Sequence, residues 1–258
     1  MKTLVVRRAW RCRAALVILT LAVVWLSPLL AQAPETRARR VVRARTVAAK
    51  TKAPKPKPPM ITVADIKEAK ERLTTLGYWL MKSEDSYRHA LTAFQKVQAL
   101  PPTGKLSLED LETLRAAHPP VPKEVQTLEA GKIRVEIDLR RQVLFVIDHE
   151  SNVTKILPIS SGNGKEFTSE GFERDAITPP GRFNVNNKIK GWRKSPLGML
   201  YYPNYFLAGL AIHGSTFVPA YPDSHGCIRI PMYAAEEFYH LLPMGTEVLI
   251  YGQPEVKE

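Results

Sequence analysis

His213-Gly214-Ser215 and Ser224-His225-Gly226-Cys227-Ile228-Arg229 bring two histidines, a cysteine and an arginine within seventeen positions. Acyl transfer through sulfur needs a thiolate, a base to generate it, a group orienting that base and donors for the oxyanion. Each requirement has a candidate. Cys227 supplies the nucleophile. His213, expected at the end of a strand, can reach it across the loop as general base and is expected to lower its pKa. Gly226 lets backbone approach a substrate, and the N–H groups of Gly226 and Cys227 can face a developing negative charge. Arg229 can hold a carboxylate or phosphate bidentately, or pin the loop. Two other readings use the same residues. His213, His225 and Cys227 could ligate zinc, although H-x11-H-x-C matches no common zinc spacing and no fourth ligand is evident. They could also be satisfied core residues.

The front of the chain bears on what the cysteine means. Lys2, Arg7, Arg8, Arg11 and Arg13 precede an apolar run from Ala14, and Ala31-Gln32-Ala33 then supplies a small-x-small cleavage pattern. Residues 1–33 are therefore expected to be a secretory signal. Pro34 would follow the scissile bond, and residues 14–31, if retained, are just long enough for a membrane anchor. Either way the rest of the chain is expected outside the cytoplasm, in the cell envelope. Cys12 stays in the leader, so Cys227 is an exported thiol with no intramolecular partner. Residues 34–59 are basic and rich in lysine, alanine and proline, a solvated spacer or cationic tether.

The charge balance excludes one class of function. The formal charge is +12, but 14 of the 37 Lys and Arg lie before residue 60, with one of the 25 acids. That leaves 23 cations against 24 acids in the remainder, so the basic character does not indicate a nucleic-acid partner. Two cysteines in 258 residues also rule out a disulfide scaffold.

The elements that must position the histidine and cysteine come from hydrophobic periodicity. Residues 60–118 show three helical stripes, with Thr62 as an N-cap, Gly77 as a stop and a Ser107/Asp110 capping box. Proline-rich residues 119–131 form a linker. From Lys132 the period changes: Ile133–Leu139 alternates, Val143–Ile147 is continuously apolar, and the two form a hairpin. Val153–Ile159, Tyr205–Ile212 and Gly245–Tyr251 are further strands, Lys165–Ala176 is a polar excursion, and Tyr233–Leu242 is a helix. The expectation is a mainly β domain over 132–252, a sandwich or barrel with a short helix, behind a small all-α domain. Among Trp192, Tyr201, Tyr202 and Tyr205 at least half are expected in the core and the rest along a groove. His89, His118, His149 and His240 are expected as surface or helix residues.

Two resemblances attach to these segments. Leu73-x-x-Leu76-Gly77-Tyr78, Ala90-x-x-Ala93-Phe94-Gln95, Gly104 and Leu111-x-x-Leu114 resemble the three-helix peptidoglycan-binding domain, and are read as core rather than as ligand contacts. Residues 132–251 resemble the L,D-transpeptidase catalytic domain through His213-Gly214-Ser215, Ser224–Arg229, Thr178-Pro179-Pro180-Gly181-Arg182-Phe183 and the terminal Gly245-Thr246-x-Val248-x-Ile250 strand. The second resemblance implies attack by Cys227 on the third residue of a peptidoglycan stem tetrapeptide, loss of D-alanine, and transfer of the acyl group to an amine or water. It implies His213 as base, the Gly214 carbonyl orienting it, His225, Gly226 and Cys227 on the oxyanion side, and Ser224 and Arg229 shaping the pocket. It implies neither metal nor organic cofactor. Hydrolysis by the same residues and a non-catalytic wall-binding role are the alternatives.

Overall fold

The computed structural model describes residues 60–254; the leader, with its apolar run over 14–31, and the spacer over 34–59 lie outside the described residues. Among the described residues three helices come first: α1 (Val63–Thr75), α2 (Glu84–Val97) and α3 (Leu108–Ala116). Their starts follow from side chains that occupy otherwise unpaired amide groups. Thr62 with Asp65, and Ser107 with Asp110, form reciprocal capping boxes, and Ser83 caps α2 through the Ser86 amide. The far end of α3 is closed from outside, where Arg72 donates to the carbonyls of Leu114 (3.1 Å) and Ala117 (2.8 Å).

Twelve strands follow among the described residues, with one more helix. In chain order they are β1 (Arg134–Asp138), β2 (Val143–Ile147), β3 (Val153–Pro158), β4 (Glu166–Ser169), β5 (Phe172–Asp175), β6 (Gly181–Asn184), β7 (Asn187–Lys188), β8 (Trp192–Ser195), β9 (Gly198–Leu207), β10 (Leu210–Ser215) and β11 (Ile228–Pro231). Then come α4 (Met232–Leu241) and β12 (Glu247–Tyr251). One sheet runs β3-β2-β1-β12-β6, with β12 parallel to β1. The second runs β11-β10-β9-β7, with β8 also on β9, and β4-β5 stands apart as a hairpin. Between the two sheets and α4 lies one apolar core, to which Ile137, Leu144, Phe206, Ile212, Ile230, Phe238 and Val248 contribute.

The unbroken apolar run of β2 has a physical reason. Leu144 and Val146 face the inter-sheet core, whereas Val143, Phe145 and Ile147 join Leu73, Leu91, Phe94 and Leu114 in a second core beneath the helices. A strand covered on both sides has no position for a polar residue. On β1 the odd positions Val135 and Ile137 are core, and the even positions Arg134 and Glu136 form a fully buried ion pair at 2.9 Å. The 119–131 segment closes over this pair: the Lys123 and Glu124 amides donate to the Glu136 carboxylate, and Arg134 donates to the Glu124 carbonyl.

Two elements differ from the sequence expectation. The stretch Tyr205–Ile212 is not one strand but the joint of a hairpin, because the chain reverses at Ala208-Gly209 between β9 and β10. Gly209 has φ +76°, which permits the reversal. The polar excursion is also structured: β4 and β5 pair antiparallel about a turn at Glu170-Gly171, both at positive φ.

Candidate active site

β10 and β11 run parallel, with Ile212 opposite Ile228 and His213 opposite Arg229. Cys227 immediately precedes β11, so the two strands deliver the imidazole and the thiol to the same end of the sheet. Both line a cavity of about 420 Å³, together with Ser224, His225 and Arg229. The expected constellation is thus assembled in one place.

His213 is nearly buried, and its Nδ1 lies 3.0 Å from the Gly214 carbonyl oxygen. A carbonyl only accepts, so Nδ1 carries the hydrogen and Nε2 of the neutral ring keeps its lone pair. Burial pushes the His213 pKa down to about 4, the Gly214 contact opposing it and the Arg229 charge adding to it. The ring is therefore unprotonated at neutral pH. Gly214 is glycine for packing as well: a Cβ there would sit 2.6 Å from the Ala235 Cβ on α4.

Cys227 is partly exposed, with Sγ 3.9 Å from the Gly209 carbonyl. The protein crowded around the sulfur raises its pKa, against smaller opposing effects of the Ala211 backbone and the Arg229 charge. The expectation that His213 would lower the thiol pKa is corrected here. Burial acts on both groups and disfavours both charges, so the resting pair is neutral thiol and neutral imidazole.

The loop before the cysteine is held from several sides. Ser224, itself buried, donates through Oγ to the Cys227 carbonyl and accepts from the Gly226 amide at 3.1 Å. The Gly226 N–H, expected to face an oxyanion, is committed to that hydroxyl instead. Gly226 itself has φ +125°, and the Ile177 carbonyl would lie 2.9 Å from any Cβ. Arg229 donates to Asp223 at 2.8 Å, so of its two expected roles the structure displays loop pinning. His225 is exposed at the cavity edge, its ring against Phe167 of β4 with centroids 4.7 Å apart.

Thr178, Ser161 and Asp223 were not singled out from sequence as site residues. Thr178 donates to the Gly226 carbonyl (2.8 Å) and accepts from the Gly162 amide (2.9 Å), joining two loops. The Ser161 carbonyl accepts from the Asp223 and Ser224 amides. Asp223 carried a sequence signal as an acid six residues before the arginine, and Thr178 opened the Thr178-Pro179-Pro180-Gly181 motif. Of the four aromatics, Tyr202 is core and donates to Glu236 at 2.6 Å, Tyr201 packs against that core, Tyr205 lines the cavity and Trp192 is exposed. His89 lies on α2 as expected but is buried, which pushes its pKa down to about 4. No cluster of three or more potential metal-ligating side chains occurs among the described residues.

Residues 132–250 match the family model described as the L,D-transpeptidase catalytic domain. The chain also superposes on the crystal structure of residues 123–326 of an L,D-transpeptidase from Xylanimonas cellulosilytica, with TM-score 0.68 and 32% identity, covering 76% of this chain and 100% of that one. The chain belongs to the L,D-transpeptidase family. An L,D-transpeptidase from Stackebrandtia nassauensis is similar at 21% identity and TM-score 0.47, over 74% of this chain and 93% of that one. No curated protein matches the chain. The likeness to the Xylanimonas enzyme extends beyond the family model, since residues 132–250 make up less than half of this L,D-transpeptidase family member. The mainly β architecture expected from the sequence is therefore that of the family.

Proposed function

We propose that the protein is a cysteine-dependent L,D-transpeptidase acting on peptidoglycan stem tetrapeptides outside the cytoplasm. The observation that carries this reading is the neutral His213 ring, its Nδ1 turned to the Gly214 carbonyl, lining the same cavity as the Cys227 thiol. In the first half-reaction His213 Nε2 takes the thiol proton as sulfur attacks the carbonyl of the third stem residue, an L-centred diamino acid. The tetrahedral oxyanion is stabilised by the His225 and Cys227 N–H groups, in a loop that Ser224, Thr178 and Arg229 hold in shape. Collapse breaks the peptide bond, the His213 proton goes to the departing D-alanine amine, and a thioester remains. In the second half an amine of a neighbouring stem attacks, gives its proton to His213, and the regenerated thiol leaves a 3→3 cross-link. A protein amine or water is the other class of acceptor.

In the same reading the three-helix part holds the enzyme to the wall. The N-terminal segment exports it, or tethers it through residues 14–31.

The test is incubation of the purified protein with disaccharide-tetrapeptides. Free D-alanine together with 3→3-linked dimers is expected. Tripeptides without dimers would indicate hydrolysis. D-Alanine release that persists unchanged in Cys227→Ala would refute the thiol mechanism.

A further inference from the structure

The β4–β5 hairpin carries chemistry that the reaction described above does not use. Its register sets Phe167 opposite Arg174 and Ser169 opposite Phe172, so these four share one face. That face is turned to the active site: Phe167 packs on His225, and Ser169 and Arg174 line the cavity with Cys227 and His213. The other face carries Glu166, Thr168, Glu173 and Asp175, so the hairpin puts three acids outward and one cation inward. The charged residues lining the cavity are Glu170, Arg174, Asp223 and Arg229. Arg229 and Asp223 neutralise each other in an ion pair at 2.8 Å. Arg174 has no hydrogen-bond or ion-pair partner among the described residues. It is a guanidinium lining the nucleophile's cavity with its donors unused, a group able to accept a carboxylate on two parallel N–H bonds.

We propose that Arg174 is a specificity-determining residue that binds a carboxylate of the peptide in the catalytic cavity, making the β4–β5 hairpin a substrate-reading arm. This deepens the transpeptidase reading and rests on it for the identity of the peptide. A stem tetrapeptide offers the terminal D-alanine carboxylate near the reacting carbonyl and, where the diamino acid carries one, a side-chain carboxylate.

The experiment has two arms on the full-length protein. In the first, Cys227 is alkylated with iodoacetate and with iodoacetamide at low ionic strength, and modification is read at that residue by peptide mass mapping. A cation in the cavity that the reagent must enter favours the anionic one, so Arg174→Ala is expected to lower the iodoacetate-to-iodoacetamide rate ratio about three- to tenfold. Arg174→Lys should keep part of it, and the outward-facing Glu173→Gln should leave it unchanged. An unaltered ratio in Arg174→Ala overturns the proposal, whether or not the protein releases D-alanine. In the second arm, Arg174→Ala should raise KM for tetrapeptide about tenfold with kcat within about twofold. Peptides carrying a carboxamide at the terminus or on the side chain then identify the group read, because the variant loses discrimination only at the position Arg174 contacts. Equal discrimination by both proteins at both positions is the second result that overturns it. If wild type shows no release at all while the alkylation ratio still depends on Arg174, the transpeptidase reading fails and the anion site stands.

Discussion

Lys96 of α2 places its ammonium nitrogen 3.0 Å from the Gln142 carbonyl and 3.3 Å from that of Ile159, inside the body of the protein. The side chain of Gln142 in turn binds the Ser161 amide and hydroxyl, and Ser161 holds the Asp223–Ser224 loop. A helix outside the catalytic domain is thus linked by hydrogen bonds to the loop carrying the nucleophile. Burial pushes the Lys96 pKa down to about 7. The neutral amine has two hydrogens for its two carbonyls.

The first prediction follows from this depressed value. An unfolded lysine keeps its proton to about pH 10.5. Between about pH 7 and that limit the unfolded chain binds more protons than the folded one, so this residue makes stability rise with pH. Urea unfolding at pH 7 and pH 9 should show the gain in wild type relative to Lys96→Met, in which the lysine contribution is absent. Identical pH dependence in the two proteins would show that Lys96 is charged when folded.

The second concerns the neutral pair. Alkylation needs thiolate, so the rate at Cys227 should climb through pH 8 and 9 without levelling off at neutrality, given its raised pKa. Turnover instead needs neutral His213 and a thiol that still has its proton to give. It should hold level from about pH 5, above the His213 value of about 4, until the pH passes the raised Cys227 value. His213→Ala should cut turnover about 10²- to 10⁴-fold while leaving alkylation at pH 10 nearly unchanged. An alkylation plateau below pH 7 would mean a resting ion pair.

Thr178 gives a third. Thr178→Val keeps the shape but strands the Gly162 amide and the Gly226 carbonyl, a loss of about 1–3 kcal/mol. Chemical denaturation should register that loss, turnover should fall with it, and Thr178→Ser should restore both. Full activity in the valine variant would remove Thr178 from the positioning network.

A fourth tests the glycine beside the base. Gly214→Ala forces a methyl against Ala235, 2.6 Å away, and should destabilise by about 1–3 kcal/mol. Ala235→Gly in the same protein should recover more than half of the loss, because the two sites share one contact. Additive losses would place the strain elsewhere, Tyr201 being the next neighbour at 3.1 Å.

What the sequence disclosed and what it concealed divide along physical lines. The N-cap at Thr62, the capping box at Ser107, the alternation in β1 and the apolar run of β2 are local patterns, and each marked its element correctly. His213 and Cys227 were legible because a lone thiol expected outside the cytoplasm is exposed to oxidation, a liability that makes sense when a nearby histidine puts it to use. Phe167 and Arg174 were not, since β4 and β5 lack an apolar face and their register is set by backbone pairing. The neutral state of the pair was hidden as well. It depends on how much protein surrounds the two groups, and spacing says nothing of that.

The double covering of β2 bears on anyone trimming this protein. A fragment begun at Lys132 would leave Val143, Phe145, Ile147 and Ile156 as a bare oily strip along one side of its sheet. At ~2 kcal/mol for each large side chain returned to water, such a piece would cling to its own copies. The helices are the lining of the enzyme, and they should travel with it.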